Sequence, residues 1–301
     1  MSPIRVANAP CSWGVLEFES GAAAPSPTQV LDEIAATGYA GTELGDWGFF
    51  GTDPSSVRSD LARRQLALVG AFVAVPLTGA AGHDADVDTA VRTARLLAAA
   101  SDARPLLVLA DATAADPART ARAGRIGVTD LLPPTDWDAI GRRAERIARA
   151  ISDATGLRTV FHHHCATYVE TPDEIAALMQ RTSPELLGLC LDTGHATYGG
   201  GDPLSLLTQY RDRVWHVHFK DCSRDVASRA RAERWDYLTA IRHGLFCELG
   251  RGSVDFAAML HQLNAARYDG WIVVEQDVLP SMGTPAASAT RNRRFLTRLG
   301  V

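Results

Sequence analysis

The chain has 301 residues, of which 46% are apolar and 22% charged, and its formal net charge at pH 7 is −5. This length and apolar content suffice for one large buried core. The net negative charge, without a basic run, argues against nucleic acid as the main partner. No apolar run approaches the roughly 20 residues that span a bilayer, and the first residues lack the pattern of a secretory signal. We therefore expect a cytoplasmic protein that binds neither membranes nor nucleic acid.

Cysteine usage fits a reducing compartment. The five cysteines form no C-x-x-C pair and leave one over, so neither a disulfide framework nor a thiolate zinc site is expected. Reduced, mostly buried thiols are the simpler interpretation. The composition is compatible with a homo-oligomer.

Apolar runs alternate with helical patterns along the whole chain. The runs predict strands over residues 4–8, 39–43, 66–75, 105–110, 157–164, 186–192, 213–219 and 271–275. The patterns between and after them predict helices over residues 26–37, 54–65, 84–100, 135–155, 172–180, 203–210, 254–267 and 286–299. Eight strands, each followed by a helix, predict an α/β fold: a single (β/α)8 TIM barrel over residues 1–301.

Two details refine this prediction. Residues 220–252 form an insertion after strand seven with a helix of its own, predicted over residues 226–242. Because the insertion leaves the C-terminal end of a barrel strand, we expect it to lie over the barrel mouth. A doubly wound open sheet is the rival fold, but residues 8–14, which follow the first strand, contain no G-x-G-x-x-G pattern.

Ionisable side chains stand at the predicted strand ends. Asp192, His218 and Glu275 each end an otherwise apolar strand, where a buried charge requires a cation or a partner. In a TIM barrel these strand ends face a common mouth, and converging carboxylates and imidazoles suit a divalent metal. We predict that these three residues are metal ligands.

A fourth ligand is expected from the triple histidine that ends strand five. Strand alternation sends His162 and His164 to one face and His163 to the other. His162 lies nearer the depth of the other ligands, so it is assigned to the metal and His164 to substrate contact, although the reverse assignment stays open. Nitrogen and oxygen ligands without thiolate suit Mn²⁺, Co²⁺, Mg²⁺ or Zn²⁺.

Two further side chains at the mouth are candidates for acid–base catalysis. Lys220 follows His218 by two residues and faces the same way, where an ammonium can stabilise an enolate or an amine can act as a base. His195 follows Asp192 by three residues. The structural alternatives are a surface ion pair between Lys220 and Asp221, and a loop histidine bonded to a backbone carbonyl.

Four residues are candidates for substrate contact. Glu43 ends the second strand, Asn8 ends the first, and Trp13 lies in the loop after it. Arg251 lies in a flexible Gly-Arg-Gly turn at the end of the insertion. Glu43 could instead be a buried, hydrogen-bonded acid with a purely structural role. Trp13 could instead simply cover the core.

Several of these motifs together resemble a known superfamily. The runs Thr159–His164, Leu191-Asp-Thr-Gly-His195, His216-Val-His-Phe-Lys-Asp221 and Tyr268-Asp-Gly-Trp-Ile-Val-Val-Glu275 are similar to those of the xylose isomerase-like TIM barrels. The triple histidine and the His-x-His-x-Lys-Asp run are most similar to the inosose dehydratase branch. The resemblance extends from Asn8 to Asp277.

The resemblance implies a chemistry. It implies dehydration of 2-keto-myo-inositol, a keto-inositol, through an enolate stabilised by Mn²⁺ or Co²⁺, with Mg²⁺ or Zn²⁺ as alternatives. Glu275 or His164 is then the base, and His195 or Lys220 the acid. The alternative is a metal-dependent epimerase or isomerase acting on a ketose or keto acid. Most of the superfamily carries a glutamate where strand five of this chain ends in His162, which weakens the epimerase alternative because epimerases use paired glutamates.

Overall fold

The computed structural model describes residues 4–14, 25–79, 83–112, 116–277 and 283–301. Eight parallel strands within these residues close into a barrel. They are β1 Arg5–Asn8, β2 Gly41–Glu43, β3 Ala67–Val75, β4 Leu106–Asp111, β5 Thr159–His162, β6 Leu187–Asp192, β7 Val214–Phe219 and β10 Trp271–Val274. Their order around the barrel is β1-β10-β7-β6-β5-β4-β3-β2. Strand β1 pairs with both β2 and β10, which closes the cylinder. The predicted TIM barrel is confirmed.

Helices surround the barrel. They are α1 Pro27–Ala36, α2 Pro54–Ala62, α3 His83–Ala100, α4 Pro117–Arg122, α5 Pro134–Thr155, α6 Pro172–Gln180, α7 Thr193–Tyr198, α8 Pro203–Gln209, α9 Arg224–Glu233, α10 Tyr237–Arg242, α11 Phe256–Ala265 and α12 Pro285–Arg298. Several begin with a polar cap followed by proline, since the cap accepts a free backbone N–H and proline lacks one. Ser26, Asp53, Thr171 and Asp202 are such caps. In the described part of the chain, no helix is long and apolar enough to span a membrane.

Alternation along the strands decides which side chains face the barrel interior. Val160 and Cys190 belong to a small cluster formed by strand residues, whereas Phe161 packs into the large core that strands and helices share. His162 follows Val160 by two residues and Asp192 follows Cys190 by two residues, so both face the interior. The register brings Asp192 beside His218 of β7.

The insertion differs from its prediction. Between β7 and α11 it forms α9, α10 and a two-stranded antiparallel sheet of β8 Asp221–Cys222 and β9 Phe246–Cys247. The single helix predicted over residues 226–242 is wrong because Arg234 adopts a left-handed conformation, with φ of 58°. Asp236 then caps a new helix by accepting the N–H of Thr239. The short helices α4 and α7 are also absent from the sequence prediction.

Asp221 ties the insertion to the barrel. Its Oδ2 accepts the backbone N–H groups of Gly250 and Gly252 at 2.9 and 2.8 Å, and its Oδ1 accepts that of Val254 at 3.1 Å. A Cβ at Gly252 would lie 2.2 Å from Oδ1, so the turn requires glycine there. The Asp221 carboxylate therefore joins the start of the insertion to its end.

Asp221→Ala should destabilise the protein, because it leaves several backbone N–H groups without their acceptor. Each such group costs about 1–3 kcal/mol when it is shielded from water. Urea unfolding should show a single transition at a lower midpoint. Asp225→Ala, in the exposed first turn of α9, is the matched control and should change stability by less than about 1 kcal/mol. Equal stability of the two variants would contradict the role of Asp221.

Candidate metal centre

Four buried side chains meet at the C-terminal mouth of the barrel. The ligand atoms of His162, Asp192, His218 and Glu275 all lie within 4.8 Å of one another. His162 Nε2 is 3.7 Å from Asp192 Oδ2, and His218 Nδ1 is 3.3 Å from Glu275 Oε1. These are the four residues predicted as metal ligands, and the fold brings all of them together.

The strand ends determine this convergence. His162 and Asp192 are the last residues of β5 and β6, and His218 is the next-to-last residue of β7. Glu275 follows β10 directly, where its backbone N–H donates to Phe219 O at 3.1 Å. Strand β5 ends at His162, so His164 lies beyond the strand end, nearer the rim of the barrel than His162.

The cluster has the electrostatics of a cation site. Asp192 Oδ2, His162 Nδ1 and His218 Nδ1 are buried without a hydrogen-bond partner among the described residues. Burial opposes charge on both carboxyls, yet His218 and Lys220 hold the pKa of Glu275 well below its usual value. His162 and Lys220 likewise lower the pKa of Asp192 against the effect of burial. Two carboxylates and two imidazoles with unpaired buried atoms fit a divalent cation.

Lys220 lies beside this cluster. Its Nζ is 3.3 Å from Glu275 Oε2 and donates to Asp277 Oδ2 at 3.4 Å. Burial favours the neutral amine, but Asp277 and Glu275 raise the pKa of Lys220 well above its usual value, so the group is an ammonium. The surface pair of Lys220 with Asp221 is ruled out because Lys220 is only 2% exposed and the Asp221 carboxylate binds backbone N–H groups instead.

Residues at the start of α7 position Lys220. Thr193 Oγ1 donates to Lys220 O at 2.7 Å and accepts the N–H of Lys220 at 3.0 Å. A Cβ at Gly194 would lie 2.6 Å from Lys220 Cγ, so glycine leaves room for the lysine stem. Within the Leu191–His195 run, Asp192 is therefore a ligand candidate. The next residue, Thr193, holds the backbone of Lys220, and Gly194 leaves room for its side chain.

His164 and His195 form a second group above the cluster. Their ring centroids are 3.9 Å apart, and His195 Nε2 is 3.3 Å from Lys220 Nζ. His195 Nδ1 accepts the N–H of Cys165, and His164 Nδ1 donates to Cys165 O. Burial, with His162 and Lys220 nearby, lowers the pKa of His164 to about 3. Burial and the neighbours His164 and Lys220 hold the pKa of His195 well below its usual value, so both rings are neutral.

No role was assigned to His163 or Asp277 from the sequence alone. His163 faces away from the mouth, as strand alternation requires, and its Nε2 accepts the N–H of Asp192 at 3.2 Å. Asp277, 7% exposed, binds the Lys220 ammonium. Its position two residues after Glu275 could have identified Asp277 as a residue of the site, since both side chains then face the barrel mouth.

Glu43 lies deeper in the barrel than the predicted substrate contact requires. It is 2% exposed, and its Oε1 is 2.7 Å from His216 Nε2 and 3.0 Å from His218 Nε2. Burial opposes its charge, but His218 and His216 lower the pKa of Glu43 to about 2. This geometry favours a role through His218 over direct contact with a substrate hydroxyl.

The other substrate-contact candidates lie away from the cluster. Asn8 is on the face of β1 opposite to Ala7, which belongs to a cluster of the barrel interior, and so it points toward the helices. Trp13 is buried in the shared outer core, and its indole N–H donates to Glu33. The Arg251 side chain is 72% exposed and pairs with Glu248. These placements disfavour all three substrate-contact assignments.

The insertion contributes an aromatic wall beside the histidines. The rings of Tyr237 and Phe246 lie 5.7 Å from His164 and 5.0 Å from His195, measured between centroids. Lys220 Nζ is 4.8 Å from the Phe246 ring centroid. The insertion therefore covers part of the site, and the apolar rings limit the access of water to Lys220 and His195.

The fold and the clustered side chains define a TIM barrel with a candidate metal site at its mouth, and sequence comparison identifies the family. The chain matches the Xylose isomerase-like TIM barrel family over residues 31–299, and it belongs to that family. The predicted resemblance is confirmed.

Named relatives match nearly the whole chain. An inosose dehydratase of Geobacillus kaustophilus (strain HTA426) is 32% identical over 300 residues, covering 99% of this chain and 96% of that protein. The rhizopine catabolism protein MocC of Rhizobium meliloti is 33% identical over 302 residues, covering 98% and 88%. Among solved structures, the IolI protein with a bound zinc atom shares the fold, with a TM-score of 0.68 at 12% identity and 98% coverage of each chain.

Proposed function

We propose that this chain is a metal-dependent hydro-lyase that dehydrates a keto-inositol, with 2-keto-myo-inositol as its first candidate substrate. The observation that carries the proposal is the buried cluster of His162, Asp192, His218 and Glu275 beside the Lys220 ammonium. The full-length similarity to an inosose dehydratase supports the choice of substrate. We expect a small polyol or keto-sugar as the partner and a cytoplasmic location.

The four clustered residues would hold the metal. Their nitrogen and oxygen donors suit Mn²⁺ or Co²⁺, and also Mg²⁺ or Zn²⁺. The zinc atom in the IolI structure supports a divalent ion in a barrel of this fold. When bound, the ion would supply Lewis acidity that polarises the substrate ketone and acidifies the neighbouring C–H.

The remaining residues of the mouth would move protons. Dehydration removes a proton from the carbon next to the ketone and expels the hydroxyl of the following carbon as water, leaving a C=C bond. His164 is the better placed candidate base, because its Nδ1 donates to Cys165 O and a neutral ring then keeps its lone pair on Nε2. The burial that lowers its pKa to about 3 keeps this lone pair free, although it also weakens the ring as a base. Both oxygens of Glu275, the other candidate base, are already contacted by His218 and Lys220.

Lys220 is suited to protonate the departing hydroxyl. As an ammonium held by Asp277 and Glu275 it carries a proton to donate, and Phe246 shields it. His195 lies between His164 and Lys220 and contacts both, so its substitution should disturb the geometry of each.

The metal assignment predicts the effect of removing ligands. Asp192→Ala, His218→Ala and Glu275→Ala should each abolish tight binding of a divalent metal, because the ligands come from separate strands and none can replace another. Elemental analysis of the purified proteins measures this directly. Asp111→Asn changes a buried carboxylate on β4 that binds backbone N–H groups, and should retain metal. Full occupancy in two of the three alanine variants would contradict the assignment.

The proton-transfer roles of His164 and Lys220, and the contacts of His195 with both, predict the behaviour of three further variants. Lys220→Met, His164→Gln and His195→Gln should slow dehydration by roughly 10²- to 10⁴-fold while keeping their metal. The assay is incubation of wild-type protein and variants with 2-keto-myo-inositol and Mn²⁺, with mass spectrometry to detect a product lighter by one water.

The same assay in D₂O distinguishes the alternative. An epimerase or isomerase would incorporate deuterium into a ketose without losing water. A panel of inososes and ketoses therefore separates the two reactions. Deuterium uptake without water loss would refute the hydro-lyase, and inactivity on all inososes would refute the proposed substrate class.

A further inference from the structure

A buried contact joins β2 to β7 beneath the predicted metal ligands. Glu43 Oε1 lies 2.7 Å from His216 Nε2 and 3.0 Å from His218 Nε2. Glu43 is 2% exposed, and His216 and His218 are completely buried. The proposed function gives His218 a role as a metal ligand but uses neither Glu43 nor His216.

An irregularity in the backbone of β2 directs the Glu43 side chain toward the two histidines. The register of β2 against β3 shifts between Thr42 and Glu43, so that Glu43 pairs with Gly70. Such irregularities re-aim side chains near functional sites. A Cβ at Gly70 would lie 3.2 Å from Glu43 Oε1, a tight contact that glycine avoids.

The chemistry of the contact assigns protons to the rings. A carboxylate only accepts hydrogen bonds, so both imidazoles must present an Nε2–H to Glu43. A metal-bound imidazole must give up any second proton, and in the neutral ring of His218 the lone pair then lies on Nδ1. That nitrogen has no hydrogen-bond partner among the described residues, and it lies 3.3 Å from Glu275 Oε1, on the side of the predicted ligands.

We propose that Glu43 is a positioning residue that holds His218 with its Nδ1 directed at the metal, in a carboxylate–histidine–metal arrangement. This inference rests on the metal centre of the proposed function. Partners of this kind fix the tautomer and orientation of a ligating histidine and increase its basicity. Glu43 therefore acts on the metal through His218, without touching metal or substrate.

The rival explanation is a second ion held by Glu43, His216 and His218, whose ligand atoms also lie within 4.8 Å of one another. The distances favour hydrogen bonds. Ligands at about 2.0–2.2 Å from a tetrahedral ion are roughly 3.3 Å apart, whereas His216 Nε2 and Glu43 Oε1 are 2.7 Å apart. That separation suits a charge-assisted hydrogen bond.

Zinc affinity tests the proposal without reference to activity. Full-length wild type, Glu43→Gln and Asp111→Asn are compared by chelator competition with Zn²⁺ alone. Glu43→Gln should bind zinc about 10- to 100-fold more weakly, the usual effect of losing such a partner. Asp111→Asn, the control for loss of a buried carboxylate at the mouth, should stay within about threefold of wild type. Equal affinity of wild type and Glu43→Gln would overturn the proposal.

Histidine ¹⁵N NMR of the zinc-loaded proteins separates positioning from a general loss of structure. In wild type, His218 should show zinc on Nδ1 and a slowly exchanging, strongly hydrogen-bonded proton on Nε2. In Glu43→Gln that proton should move upfield and exchange faster. Zinc on Nε2 of His218, or two zinc ions per chain, would refute the proposal.

Failure of the proposed function is distinguishable from failure of this inference. A wild type that binds zinc with this NMR signature but dehydrates no inosose refutes only the substrate and reaction. A wild type that binds no zinc refutes the metal centre, and with it the role of Glu43.

Discussion

The burial of negative charge at the barrel mouth is the constraint on which the rest of this structure depends. Asp192 is completely buried and Glu275 is largely shielded, yet both stay ionised against the cost of desolvation. Carboxylates in such a place require cations close by. Lys220 supplies one positive charge, and Asp192 Oδ2 and His218 Nδ1 are buried with no hydrogen-bond partner in the part of the chain that the structure describes. The divalent metal that we propose would supply the rest of the compensating positive charge.

The fold satisfies this constraint through separate elements that each do one task. Strand ends bring the ligand candidates together, and the start of α7 holds Lys220 through Thr193 and Gly194. The insertion, closed by Asp221, places Phe246 over the lysine. Deeper in the barrel, Glu43 holds His218. Each of these contacts joins residues far apart in the chain, so the site depends on closure of the barrel as a whole.

Strand alternation and strand ends allowed much of this to be predicted from the sequence. His162, Asp192, His218 and Glu275 end apolar runs, and parallel strands in a barrel bring such ends together. Properties that depend on packing between distant segments were out of reach. The sequence around Trp13 does not reveal that its indole N–H donates to Glu33 and not to a ligand. Helical periodicity likewise does not reveal that Arg234 adopts a left-handed conformation, which ends one helix of the insertion before the next begins. Glu43 contacts His216 and His218 of β7, so its buried position inside the barrel can be recognised only once the sheet is closed.

Anomalous diffraction from crystals grown with Mn²⁺ tests the central claim most directly, because it locates the ion independently of any reaction. The account predicts one strong peak per chain above the manganese edge, within coordination distance of His162, Asp192, His218 and Glu275, with the imidazole of His218 approaching through Nδ1. A peak between Glu43 and His216, or no peak among the four residues at full manganese loading, would contradict it.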